Sequence, residues 1–153
     1  MGRWRGATAD GEVYRWAPGW ERDTGTSMMM RDTDRALVQA ASAVAKLRCR
    51  SATHTLATAA RTADGRVISA VNVVHATGGA CPETVALGTA ATQGVAELDT
   101  IVTVGDRGRA LVTPCDACRQ VLADRYPALR VIVGNPDDPK VVPVTNLTPT
   151  TPH

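Results

Sequence analysis

Thr100-Ile101-Val102-Thr103-Val104, then Pro114-Cys115-Asp116-Ala117-Cys118-Arg119-Gln120-Val121-Leu122, then Arg130-Val131-Ile132-Val133: this succession carries the reading of the fold. The outer runs are short and rich in β-branched residues. Between them Cys118, Val121, Leu122 and Arg125 fall at helical spacing, with Pro127 behind. Strand, helix, strand predicts a parallel crossover, and with it an α/β domain. Upstream, Leu87, Ala90, Ala91, Gly94, Val95 and Leu98 make another helical stripe, starting close to Cys81-Pro82, where a proline suits the first turn. Before it, His54 to Arg61 and Arg66 to Val74 read as strands joined through Asp64-Gly65, a dipeptide that supplies positive φ angles to tight hairpins.

Period-2 alternation in the second hairpin strand sets Ile68, Ala70, Asn72 and Val74 on one face and Val67, Ser69, Val71 and Val73 on the other. Both faces are largely apolar, so the strand is expected to be covered on both sides. Leu37, Ala40, Ala41, Val44 and Ala45 predict an amphipathic helix behind the capping run Asp32-Thr33-Asp34. Val141 to Val144 predicts an edge strand, since Pro143 cannot donate to a neighbour.

A chain of 153 residues has room for one core. That domain is expected over 32–147, with 1–31 as a flexible N-terminal extension and 148–153 as a loose tail. Hydrophobic residues at 44% and charged residues at 21% exclude a disordered or collagen-like chain. No apolar run approaches the roughly 20 residues of a membrane span, and Met1-Gly2-Arg3-Trp4-Arg5 does not lead into a secretory signal, so a soluble cytoplasmic protein with no membrane partner is expected. The net charge is +2, the basic residues are scattered singly, and Tyr126 is the only aromatic residue after Trp20. Nothing there attracts or stacks on a nucleic acid.

There are four cysteines, Cys49, Cys81, Cys115 and Cys118. Without export, and in a chain long enough to do without staples, metal binding explains them better than disulfides. A Cys-x-x-Cys turn running into a helix brings two sulfurs onto one ion. Cys81, at a second helix start, closes a third corner of a tetrahedron and leaves the fourth open to water. Helix N-termini favour thiolates at neutral pH. Glu83 stands two residues beyond Cys81 and is the candidate proton shuttle; after residue 30 the only other glutamate is Glu97. A closed structural zinc knot with Cys49 as fourth ligand is the alternative. Cys49 lacks ligand-like spacing, and such a site would leave Glu83 without a task.

Cys81-Pro82-Glu83 combined with Pro114-Cys115-Asp116-Ala117-Cys118 resembles the zinc deaminase signature. The likeness extends to Asp64-Gly65, Val71-Asn72-Val73, Thr77-Gly78-Gly79, Leu87-Gly88, Ala90-Ala91, Thr113-Pro114-Cys115, Cys118-Arg119-Gln120-Val121-Leu122 and Val131-Ile132-Val133. Over roughly residues 34–147 the chain resembles the blasticidin-S deaminases and, more distantly, the small cytidine deaminases. The resemblance implies a three-layer α/β/α fold with a central mixed five-stranded sheet, assembled as a homotetramer whose subunits help to line each other's pockets. It implies Zn²⁺ held by Cys81, Cys115 and Cys118, with Glu83 as acid and base. The implied reaction is hydrolytic loss of ammonia from the 4-amino group of a cytosine-type nucleoside or a nucleoside antibiotic such as blasticidin S.

Three thiolates leave a zinc site at −1, and by similarity Arg119 offsets that charge by donating hydrogen bonds to the sulfurs. The resemblance further implies Asn72 as a sugar contact, His54 beside the base, and the Thr113 carbonyl facing the departing amine. Val74 departs from the pattern: cytidine deaminases have a glutamate there for the ribose hydroxyls, and blasticidin-S deaminases a tyrosine. Valine makes neither hydrogen bond, which points away from a simple ribonucleoside. Pro82 and Ala76 also differ and suggest a roomier cavity. Taken alone, Asn72, His54 and His75 also read as packed, hydrogen-bonded residues, and Arg119 as a solvated helix charge. Two other functions stay open at this point: deamination of cytidine, deoxycytidine or another aminated heterocycle, and a non-catalytic, zinc-stabilised assembly module, against which Glu83 argues.

Overall fold

The computed structural model describes residues 28–147 together with two short strands, β1 (Arg3–Arg5) and β2 (Arg15–Ala17), which pair antiparallel. The remainder of the expected extension and the 148–153 tail lie outside the described residues. The main body runs α1 (Asp32–Arg48), β3 (Ala57–Thr62), β4 (Val67–Val71), α2 (Pro82–Thr92), β5 (Leu98–Gly105), β6 (Ala110–Leu111), α3 (Asp116–Arg125), β7 (Arg130–Asn135) and β8 (Asp138–Pro143). Among the described residues no helix is long and apolar enough to cross a membrane.

The sheet order is β4-β3-β5-β7-β8. Only β5 and β7 pair parallel, through the α3 crossover that the sequence predicts; the other neighbours are antiparallel. The expected mixed path of five strands is therefore present, and β6 adds a sixth. Pairing of β7 with β5 ends at Val102↔Ile132, which leaves the last residues of β5 with an open edge. The returning chain fills it at Val104↔Leu111 and Gly105↔Ala110.

Two apolar cores sandwich the sheet. Leu37, Ala41 and Ala45 of α1 pack on Ala57, Ala59, Val102, Val104 and Ile132. On the opposite face Ala90 of α2 and Leu122 of α3 pack with Ala60, Ile68, Ile101, Val131 and Val133. Alternation explains the split: Ile101 faces one core, Val102 and Val104 the other. The alanines of β3 leave room for helices at short range, which suits a chain without phenylalanine.

The run expected ahead of α1 forms its first turn instead, with Arg31 as the N-cap, and of its residues Asp34 caps the helix by accepting from the Arg31 amide at 2.8 Å. Residues 28–31 bond to the same body: the Met28 amide donates to the Val141 carbonyl at 2.8 Å, and the Arg130 guanidinium donates to the Met29 carbonyl at 3.2 Å. The β3–β4 hairpin turns where predicted, with Gly65 at φ +93°. One expectation fails. β4 is fully covered on one face only: Ile68 and Ala70 are buried, whereas on the other face Val67 and Ser69 are exposed and Val71 is half-buried. Apolar side chains on both faces of a strand do not specify what packs against each face.

Candidate active site

Both ligand-bearing turns are helix starts. Cys81 is the N-cap of α2, at φ −67° and ψ 148°, with Pro82 in the first turn; Cys115 is the N-cap of α3, at φ −65° and ψ 165°. Extended backbone at a cap turns the side chain over the free N–H groups of the first helical turn. Cys118, one turn further along α3, points to the same place. The three sulfurs all lie within 4.8 Å of one another, and Cys81 Sγ is 3.7 Å from Cys115 Sγ. Zinc–sulfur bonds of about 2.3 Å at a tetrahedral angle separate two sulfurs by about 3.8 Å, which the Cys81–Cys115 pair matches, with the Cys118 sulfur within 4.8 Å of both.

Electrostatics point the same way. Burial pushes the Cys118 thiol up, and the neighbouring sulfurs and the Glu83 charge push it further. Burial likewise raises Cys81, with Cys115 and Glu83 adding to it against a hydrogen bond from Cys118. At Cys115 burial is outweighed by hydrogen bonds from the Cys118 amide and the two neighbouring thiols, and the thiol is lowered. Three sulfurs this close need a cation among them to ionise together. Cys49 is not with them: it caps the other end of α1 and packs in the α1-side core.

Glu83, the second residue of α2, is 3% exposed. Its Oε2 accepts a hydrogen bond of 2.9 Å from the Thr103 hydroxyl, which is itself 2.6 Å from the Thr58 hydroxyl. Burial holds the carboxyl above the ordinary range, against the pull of its own backbone amide and Thr103. A hydroxyl can donate or accept, so the threonine pair can satisfy Glu83 as carboxylate or as acid. A buried carboxyl with that freedom, beside three convergent sulfurs, can carry protons for a hydrolysis. The sequence did not reveal the threonine pair: polar β-branched residues inside two apolar strands were the signal, but only the register Thr58↔Thr103 brings them together.

Arg119, 8% exposed, donates to the Pro114 carbonyl at 2.7 Å and to the Leu147 carbonyl at 2.8 Å, and its guanidinium lies 3.5 Å from Asp116 Oδ1. It braces the turn that carries Cys115 and brings positive charge near that sulfur. Burial lowers its pKa, against the charges of Asp116 and Cys115.

A cavity of about 360 Å³ opens beside Cys81, walled by Leu56, Asn72, Val73, Val74, His75 and Ala80 among others. His54 and Thr113 are not among its lining residues. Asn72 Oδ1 accepts from the Thr55 and Leu56 amides at 2.7 and 2.9 Å, and Nδ2 donates to the Thr55 hydroxyl at 2.8 Å. Its side chain thus clamps the approach to β3 and keeps one amide hydrogen to offer elsewhere. His54 Nδ1 lies 2.7 Å from the Asn72 carbonyl, and His75 Nδ1 lies 2.7 Å from the Thr77 hydroxyl. Val74, half exposed, presents only methyl groups. The cavity floor depends on Gly79, where a Cβ would stand 2.1 Å from the Val73 carbonyl oxygen; the Val73 and Ala80 backbones exchange hydrogen bonds of 3.0 and 2.9 Å across that contact.

No family model matches the chain. It is 35% identical over 89 residues to a blasticidin-S deaminase of Bacillus cereus, covering 52% of this chain and 64% of that protein. It is 41% identical over 75 residues to a cytidine deaminase of Halalkalibacterium halodurans, covering 47% and 56%. The chain thus spans less than two thirds of the length of either relative. In three dimensions it matches the crystal structure of a cytidine deaminase from Burkholderia pseudomallei with a TM-score of 0.63 and 31% identity, over 77% of this chain and 96% of that one. A likeness that takes in nearly the whole of that structure, on a fold that sets three sulfurs and a buried glutamate at two helix starts, places the chain in the cytidine deaminase family.

Proposed function

We propose that the protein is a zinc-dependent hydrolytic deaminase acting on the 4-amino group of a cytosine-type nucleoside or nucleoside antibiotic. The observation that carries this reading is the convergence of Cys81, Cys115 and Cys118 within 4.8 Å beside the buried, hydrogen-bonded Glu83. In it the three thiolates hold the ion, and Arg119 supplies the neighbouring positive charge. Zinc, when bound, acts as a Lewis acid and lowers the pKa of water from 15.7 toward about 7. Glu83 would take a proton from water and pass it to N3 as the water oxygen bonds to C4, then carry the second proton from that oxygen to the 4-amino nitrogen, so that the C4–N bond breaks, ammonia leaves and the C4 carbonyl forms. The likeness to the family gives the Thr113 carbonyl to the departing amine and His54 to the base, though neither lines the cavity beside Cys81.

For the sugar the cavity wall supports a modified group over ribose. Asn72 has one amide hydrogen left, Val74 has no polar atom, and the lining beside Cys81 is largely apolar. A homotetramer is the assembly this reading carries, and the free edge of β4, with Val67 half exposed on it, supports contact between copies.

The test is Glu83→Gln. Wild-type protein should release ammonia from at least one of cytidine, deoxycytidine and blasticidin S, with the matching ultraviolet change. Glu83→Gln should keep its zinc and lose turnover by at least ~10²-fold. Near-normal turnover in the variant removes the role given to Glu83; a wild type inert toward the whole panel refutes the proposal.

A further inference from the structure

Glu83 does not hold its orientation alone. A glutamate side chain has three rotatable bonds, and from its own residue only the backbone amide bonds the carboxyl group. β5 adds the second hold. The Thr103 hydroxyl donates to Oε2 at 2.9 Å, while its backbone carbonyl accepts from the Val112 amide at 2.8 Å, on the segment that leads through Thr113 and Pro114 to Cys115. One residue therefore ties the acid of α2 and the cysteine turn of α3 to the same point of the sheet.

The anchor itself is stiff. Threonine is β-branched, so its χ1 choices are few. Its hydroxyl has one proton, already given to Glu83, and the Thr58 hydroxyl 2.6 Å away must then be the donor to Thr103. Thr58 and Thr103 are direct partners across β3 and β5, on the face toward α2. Thr58, Thr103 and Glu83 are 0%, 2% and 3% exposed, so no water competes for these bonds.

We propose that Thr103 is a positioning residue for the deamination, with Thr58 setting the direction of its hydroxyl, so that Glu83 Oε2 is held and Oε1 is presented at one fixed angle for proton transfer. This rests on the function proposed above, because it assigns Glu83 the proton-carrying role. Thr103→Val keeps the shape and removes the hydroxyl; Thr103→Ser keeps the hydroxyl. In Thr103→Val kcat should fall about 10- to 100-fold, the usual effect of losing a supporting partner, with KM within about twofold and zinc content unchanged. Thr103→Ser should recover most of kcat. Thr58→Val should lower kcat in the same direction by a smaller factor, and serves if Thr103→Val does not fold.

A second readout is independent of turnover. In zinc-loaded protein with isotope-labelled glutamate, the carboxyl stretching band lost in Glu83→Gln should shift in Thr103→Val and return in Thr103→Ser. A wild type without deaminase activity would overturn the function, and the infrared band would still decide whether Thr103 holds the carboxyl. An unshifted band, Thr103→Ser as impaired as Thr103→Val, or Thr103→Val with kcat within twofold of wild type would overturn the positioning role.

Discussion

Replacing Asp34 by Asn removes a buried negative charge from the α1–sheet contact while keeping its shape. Asp34 is fully buried, and its carboxylate accepts from Arg61 at 2.9 Å, from both nitrogens of Arg130 at 2.8 Å, and from the Arg31 amide at 2.8 Å. Burial alone would raise its pKa; the hydrogen bonds from Arg130, Arg31 and Arg61 outweigh it and hold the group at about 2, against 3.8 for a free aspartate. A depressed carboxyl stabilises the fold above the unfolded pKa, and that stability is lost as pH falls through the folded one. The difference corresponds to about 2.4 kcal/mol at pH 7, of which about 1.3 kcal/mol remains at pH 3. Asp34→Asn leaves Arg61 and Arg130 with Asp99 as their remaining carboxylate, at 3.1 and 3.9 Å, and breaking the buried Asp34–Arg130 pair costs up to about 5 kcal/mol. Urea unfolding of both proteins between pH 3 and pH 7 should therefore show the variant weaker by about 2.4–5 kcal/mol at pH 7, with the gap narrowing by about 1 kcal/mol at pH 3. A gap that does not change with pH, or one below about 1 kcal/mol at pH 7, would refute the reasoning.

Three other perturbations address the cavity and the metal. Gly79→Ala forces a Cβ against the Val73 carbonyl oxygen and should cost about 1–3 kcal/mol in unfolding experiments; an unchanged midpoint would contradict the close approach. Cys49→Ala should lose about 1 kcal/mol from the α1-side core and keep its full zinc content, whereas a drop in zinc would revive the closed four-cysteine site. Cytidine should show a lower kcat/KM than a cytosine derivative with a bulkier or altered sugar, and Val74→Glu should raise the value for cytidine by at least ~10-fold; equal constants in the wild type would count against the part given to Val74.

What the sequence made legible follows the range of the forces involved. The β5–α3–β7 crossover, the Asp64-Gly65 turn and the capping of α1 come from local periodicity and turn chemistry, and the structure has all three. The position of β4 at the sheet edge does not, because its exposure depends on a neighbour that the strand's own residues do not specify. The cysteine triad was readable because each of its two turns sits at a helix start, so short spacing fixes direction. The Thr58–Thr103 pair was not, since it joins two strands through register alone. Asp34 reads as a capping residue, and it is one. Its second task as partner of Arg61 and Arg130 depends on contacts 27 and 96 residues away in the chain.

X-ray absorption at the zinc edge of the purified protein tests the central claim most directly. About one zinc per chain, with three sulfurs at about 2.3 Å and one lighter atom at about 2.0 Å, is the predicted result. Four sulfurs around the ion, or a chain purified and reconstituted without binding zinc, would contradict it.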